Sequence, residues 1–133
     1  MNEVRLTNEI KQIVDVPNVK KLIDNGTIGG TEFAADNRRA LVITPETALQ
    51  VSEILDLAQR EGLSVVPAGN LSWVDAGNRV TDVDLILSTR RMAKMIRHEP
   101  ADLVATAEAG ITLERFSTPT RRTWTMAAGR SSR

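Results

Sequence analysis

Apolar residues fall into helical and strand-like runs that alternate along the chain. Ile10, Ile13 and Val14 sit at helical spacing, and after Pro17 the set Val19, Leu22 and Ile23 repeats it. Asn25-Gly26 and Gly29-Gly30 then break the pattern, so residues 1–34 read as a helical N-terminal segment. Between Arg39 and Thr44 the run Ala40-Leu41-Val42-Ile43 is apolar at every position. That pattern predicts a strand buried on both faces, as in a parallel sheet. Thr44-Pro45-Glu46-Thr47 then opens a helix, with Thr44 as N-cap, Pro45 at the first helical position and an acidic residue in the first turn. Its expected buried stripe is Leu49, Val51, Ile54, Leu55 and Ala58, and Gly62 is its C-terminal cap. Leu63-Ser64-Val65-Val66 is the next strand, which completes a βαβ crossover of expected right-handed sense.

Farther along, Val83-Asp84-Leu85-Ile86-Leu87 reads as a strand that enters a short helical turn at Ser88–Met92. Lys94–His98 and Leu103–Ala107 predict a hairpin joined by the turn Glu99-Pro100-Ala101-Asp102. Gly110 interrupts the second of these strands, and Ile111–Phe116 begins a helix. From Ser117 the apolar stripe stops, and Arg121, Arg122, Arg130 and Arg133 stand among Ser and Thr. The chain therefore divides into a helical segment over 1–34, a domain over 35–116 and an irregular tail over 117–133. The fold class is α+β with α/β-like character, built on a βαβ unit.

Composition narrows the function. A chain of 133 residues is long enough for one domain with its own core. Lys+Arg and Asp+Glu both total 17, which gives no electrostatic signal for nucleic acid or an anionic membrane. Aromatic residues make up 3%, too few for a base-stacking surface. No Cys is present, which removes disulfides and thiolate metal sites, and a single His leaves no transition-metal ligand set. No window is apolar enough to predict a membrane span, residues 1–16 lack a signal-peptide pattern, and the expected compartment is the cytoplasm.

The candidate chemistry lies in Val65-Val66-Pro67-Ala68-Gly69-Asn70-Leu71-Ser72-Trp73. This segment leaves the second strand of the βαβ unit at its C-terminal end, where open α/β sheets bind ligands. Small residues there let backbone N–H groups converge on an anion such as a diphosphate. An ordinary strand-end turn fits the same residues. A nicotinamide-type Rossmann loop fits less well, because no G-x-G-x-x-G opens directly into a helix.

Four segments in order carry a family resemblance: Ile43–Thr47, Val65–Ser72, Asp84–Met92 and His98–Leu113. Together they resemble the N-terminal half of the FAD-binding domain of the para-cresol methylhydroxylase or vanillyl-alcohol oxidase type. Ala76-Gly77-Asn78 and His98-Glu99-Pro100-Ala101-Asp102 are most similar to the FAD-binding subunit of glycolate oxidase. The resemblance implies an incomplete FAD-binding fold of that type. It implies FAD held non-covalently, since no His stands in the loop to form a histidyl link. It also implies an FAD-linked oxidoreductase that oxidises a 2-hydroxy acid to a 2-oxo acid, with other flavin and iron–sulfur subunits as partners. Membrane association would come only through those partners.

Carried onto this chain, the resemblance makes Pro67, Ala68, Gly69, Asn70, Leu71, Ser72, Trp73 and Gly110 cofactor-binding residues. Pro67 fixes the exit from the strand. Ala68 and Gly69 admit the diphosphate, and Asn70 tolerates positive φ. Ser72 offers a hydroxyl, Trp73 borders the cofactor, and Gly110 allows close backbone approach. Leu71 departs from the family, which usually has Gly there; a left-handed backbone at that position would cost Leu roughly 1 kcal/mol or more. The family's later strands and its substrate domain have no counterpart in these residues, so no catalytic residue is assigned. The expectation is a C-terminally truncated homologue, with a frameshift near Ser117 as its origin. The competing expectation is a non-catalytic remnant or interaction module that no longer holds FAD and pairs an exposed sheet edge with a partner. His98 reads as a surface residue. Asp82 and Asp84 read as a solvent-facing pair, Arg90-Arg91 and Arg121-Arg122 as solvated surface, and Met92 and Met95 as core.

Overall fold

The computed structural model describes residues 3–21, 27–28, 31–32, 40–70 and 82–117. In chain order the elements are α1 (Glu3–Ile13), a single 3₁₀ turn (Val16–Asn18), β1 (Val19–Lys21), β2 (Thr27–Ile28) and β3 (Thr31–Glu32). Then follow β4 (Leu41–Ile43), α2 (Ala48–Glu61), β5 (Val65–Ala68), β6 (Leu85–Ser88), β7 (Met95–Glu99) and β8 (Val104–Ala107). A last helical turn covers 113–117.

The main sheet has the order β1-β4-β6-β5. β4, β6 and β5 are mutually parallel, and β1 runs antiparallel on the β4 side. The crossover from β4 through α2 to β5 therefore passes over the place that β6 later fills. Alternation along the central strands sorts the core into two faces. Leu41, Ile43, Leu85 and Leu87 meet Leu6, Ile10 and Val14 of α1 and Ile54, Leu57 and Ala58 of α2. Ala40, Val42, Val83 and Ile86 form a second cluster with Val66 and Ala68. The two-faced burial expected for residues 40–43 is observed.

The N-terminal segment departs from the helical reading. After the turn at Val16-Pro17-Asn18 the chain pairs with β4, Val19 opposite Ile43 and Lys21 opposite Leu41. A strand partner on the sheet edge overrides the helical spacing, as tertiary pairing does for β-branched residues. Leu22 and Ile23 lie outside the described residues. β2 and β3 form a short antiparallel pair, again in place of helix.

Helix α2 starts later than expected. Its N-cap is Thr47, whose hydroxyl accepts the Gln50 N–H at 3.2 Å. Gln50 Oε1 in turn accepts the Glu46 N–H at 2.8 Å, and its amide donates to the Ile13 carbonyl at 3.1 Å. This is a capping box shifted by one residue, with a tie to the end of α1. Thr44 still belongs to the sheet end, where its N–H donates to the Asn18 carbonyl at 2.9 Å. The stripe also rotates. Ile54, Leu57 and Ala58 are buried, whereas Leu49 is 69% and Leu55 45% exposed. Leu55 lies about 100° around the helix from Ile54, which turns it off the sheet. Gly62 caps the helix in the left-handed region at φ 68°, as expected.

On the surface, Glu9 of α1 accepts from Arg5 at 2.8 Å and from Arg60 at 2.9 Å, and Arg5 reaches Glu61 at 2.9 Å. Asp84 is no solvent-facing partner of Asp82. Its carboxylate accepts the Ser64 N–H at 2.9 Å and pairs with the Ser64 hydroxyl at 2.8 Å, closing the N-terminal ends of β5 and β6.

Candidate functional site

The parallel strands β4, β5 and β6 all end on one side of the sheet, and the loops that leave them meet there. β5 lies two residues farther along the chain than the sequence pattern predicts. Pro67 and Ala68, expected in the loop, occupy its last two rungs opposite Leu87 and Ser88. Proline is tolerated because β5 is an edge strand among the described residues. Gly69 and Asn70 are thus the first residues past the sheet, and both are exposed.

β6 holds this exit in place. Ser88 is 1% exposed, and its hydroxyl donates to the Gly69 carbonyl at 2.8 Å. The Thr89 N–H donates to the Ala68 carbonyl at 2.8 Å, with the Thr89 hydroxyl 3.5 Å from the same oxygen. Where a short helical turn was expected over Ser88–Met92, residues 89–92 form a single hydrogen-bonded turn, Met92 N–H to Thr89 carbonyl at 2.8 Å. Arg91 pairs with Glu46 and so links this turn to the segment before α2. Arg91 is therefore engaged in a cross-loop contact, beyond the solvated role expected of it.

The hairpin β7–β8 forms as expected, with Glu99 opposite Val104 and Met95 opposite Ala107. It is stitched to the same turn. The Lys94 N–H donates to the Glu108 carboxylate at 2.7 Å, the Glu108 N–H to the Lys94 carbonyl at 2.9 Å, and the Gly110 N–H to the Met92 carbonyl at 2.8 Å. The Asn70 side-chain amide then reaches the Gly110 carbonyl at 3.3 Å. Residues 68–70, 88–92 and 110 form one cluster.

The two glycines of the cluster differ in kind. A Cβ on Gly110 would fall on the Thr89 carbonyl group, 2.6 Å from its carbon and 2.9 Å from the Arg90 Cα. Glycine is needed there because two backbones touch. A Cβ on Gly69 would meet nothing within 4 Å. Packing among the described residues gives no reason for glycine at 69.

Of the expected site residues, Pro67, Ala68, Gly69, Asn70 and Gly110 come together. Leu71, Ser72 and Trp73 lie outside the described residues, as do Arg121 and Arg122. Ser88 and Thr89 were not singled out from sequence. The signal available was a hydroxyl pair closing the apolar run Leu85-Ile86-Leu87, where a buried polar side chain must find a partner. His98 is half-buried in β7 opposite Ala105, and Met92 and Met95 are also half-buried. Among the described residues no cluster of His, Asp or Glu is arranged to hold a metal ion, and no helix is long and apolar enough to cross a membrane.

Comparison with known proteins agrees with this fold. Residues 39–129 match the family model described as an FAD binding domain. No match was found among curated protein sequences. Among solved structures, p-cresol methylhydroxylase with substrate bound superposes with a TM-score of 0.68 at 16% identity, over 92% of this chain and 25% of that one. Two structures of alkyldihydroxyacetonephosphate synthase give TM-scores of 0.64 and 0.67 at 15% and 17% identity, over 90% of this chain and 27% and 25% of theirs. The chain thus spans about a quarter of the length of these structural neighbours, and the likeness to them is one of fold. The family match covers well over half of the sequence, and the chain belongs to the FAD binding domain family, in the fold that p-cresol methylhydroxylase shares.

Proposed function

We propose that this chain holds the diphosphate of FAD on the strand-end loop that starts at Gly69, and that it serves as the FAD-binding part of an oxidoreductase acting on a 2-hydroxy acid such as glycolate. One observation carries the first half: the open side of Gly69 at the carboxyl ends of three parallel strands. A phosphate needs backbone donors and room to approach them, and the lack of any described atom within 4 Å of a Cβ on Gly69 supports the second. The residues fit the cofactor in this respect. Pro67, Ala68, Gly69 and Asn70 would line the approach to the diphosphate; the roles of Leu71, Ser72 and Trp73 rest on the family resemblance alone. Gly110 supports it from the hairpin, with its carbonyl on Asn70 and its Cα against Thr89. When bound, FAD supplies the redox chemistry through its isoalloxazine ring, and the protein supplies position and electrostatics.

The 2-hydroxy-acid reading rests on the resemblance of Ala76-Gly77-Asn78 and His98–Asp102 to the glycolate oxidase subunit. Flavin and iron–sulfur partner subunits belong to the same reading. Titration of the purified chain with FAD tests the cofactor assignment. Saturation near one FAD per chain, with a change in flavin fluorescence, is the expected result, and a chain that stays colourless with excess FAD overturns it. In the native complex, glycolate should bleach the flavin absorbance, and an unchanged spectrum would remove the substrate assignment alone.

A further inference from the structure

The peptide between Gly69 and Asn70 is aimed by a side chain from another strand. Ser88 is buried at the end of β6, and its hydroxyl holds the Gly69 carbonyl at 2.8 Å. No cis peptide occurs among the described residues, so this peptide is planar and trans. In a trans peptide the C=O and the following N–H point in opposite directions. Drawing the Gly69 oxygen in toward Ser88 therefore turns the Asn70 N–H away from β6. The Asn70 side-chain amide donates separately to the Gly110 carbonyl.

We propose that Ser88 is a positioning residue for FAD: by holding the Gly69 carbonyl it presents the Asn70 backbone N–H to the cofactor diphosphate. The inference rests on the FAD-binding reading above and adds to it a specific donor and the residue that aims it. Without the Ser88 hydroxyl the Gly69–Asn70 peptide is free to rotate. An inward N–H would then replace the outward one, and a carbonyl oxygen would face the phosphate.

The test uses the full ¹⁵N-labelled chain, titrated with FAD and followed by amide spectra and fluorescence. In the wild type the Asn70 amide should shift strongly on saturation. Ser88→Ala should raise the Kd for FAD about tenfold or more, which corresponds to about 1.4 kcal/mol, and should abolish the Asn70 shift. Ser88→Thr, which keeps the hydroxyl, should bind within about threefold of wild type, or about 0.7 kcal/mol. Ser88→Ala that lowers the melting temperature but leaves the Kd and the Asn70 shift intact overturns the proposal, since the hydroxyl is then only structural. Should Ser88→Ala not fold, the wild-type titration decides, because an Asn70 amide unmoved by bound FAD overturns the proposal by itself. FAD bound equally by all three chains leaves the FAD reading standing and removes this one. A wild type that binds no FAD removes both.

Discussion

Replacing Gly110 by Ala tests whether the hairpin and the strand-end loop form one packed unit. The added methyl would sit on the Thr89 carbonyl group, 2.6 Å from its carbon and 2.9 Å from the Arg90 Cα. All of these are backbone atoms, so no flexible side chain can swing aside. Restoring an ordinary carbon–carbon separation of about 3.5–4.0 Å requires a relative shift of about 1 Å. Overpacking of this kind costs about 1–3 kcal/mol. A shift that size also stretches the Gly110 N–H bond to Met92 and the Asn70 bond to Gly110, at about 1 kcal/mol each. The total is about 3 kcal/mol or more, a large share of the roughly 5–15 kcal/mol that holds a domain together. The melting temperature should fall on the order of 10 °C, as read by circular dichroism. Gly69→Ala is the control. Its Cβ has open space, so its stability should stay within about 0.5 kcal/mol of wild type while its affinity for FAD drops. Gly110→Ala melting within about 2 °C of wild type would refute the packing argument.

Three further outcomes follow from the same structure. Thr47→Ala removes the cap of α2 and should lower stability by about 1 kcal/mol in urea denaturation, whereas Thr44→Ala should leave the helix start unchanged by amide exchange at residues 48–50. Leu103 is 72% exposed and held at φ 55° in the hairpin turn, so Leu103→Gly should stabilise the chain by about 1 kcal/mol, and a loss of stability there would contradict the assigned backbone. The hydrogen bond from Arg5, ahead of the charges of Arg5 and Arg60, holds the Glu9 carboxyl below its usual range, against desolvation that raises it. A folded pKa below the unfolded one gives stability that is complete above the unfolded value and is lost as pH falls through the folded value. Glu9→Gln should therefore be the less stable chain at neutral pH and converge with wild type in acid, and parallel stability curves would count against the pairing.

The sequence revealed elements better than their ends. Uniform apolarity at 40–43 marked a central strand because no other setting hides both faces of a strand. Gly62 marked the end of α2 because the left-handed cap has a chemical signature. Thr44-Pro45 imitated a helix start, however, and only the Gln50 N–H bond to the Thr47 hydroxyl, with the Glu46 N–H bond to the Gln50 side chain, shows which threonine caps. Val19 followed helical spacing yet joined a strand, since an edge position beside β4 is not visible in local pattern. At the site, small residues after a strand pointed to Gly69 and Asn70. Gly110 was legible as special, though its first neighbour is a backbone carbonyl from another loop. Ser88 escaped notice because its importance arises only when β6 is placed between β4 and β5, a nonlocal arrangement.

Pro67 has a consequence for how the sheet can grow. Ala68 turns its carbonyl toward β6, where it accepts the Thr89 N–H. Along a strand, neighbouring residues face opposite sides, so the main-chain groups of Pro67 face outward. Its ring nitrogen carries no hydrogen there. A foreign strand laid along β5 would lose one rung just before Gly69, at the point where the chain leaves the sheet. The edge is thereby protected against strand addition at the end where the chain leaves the sheet.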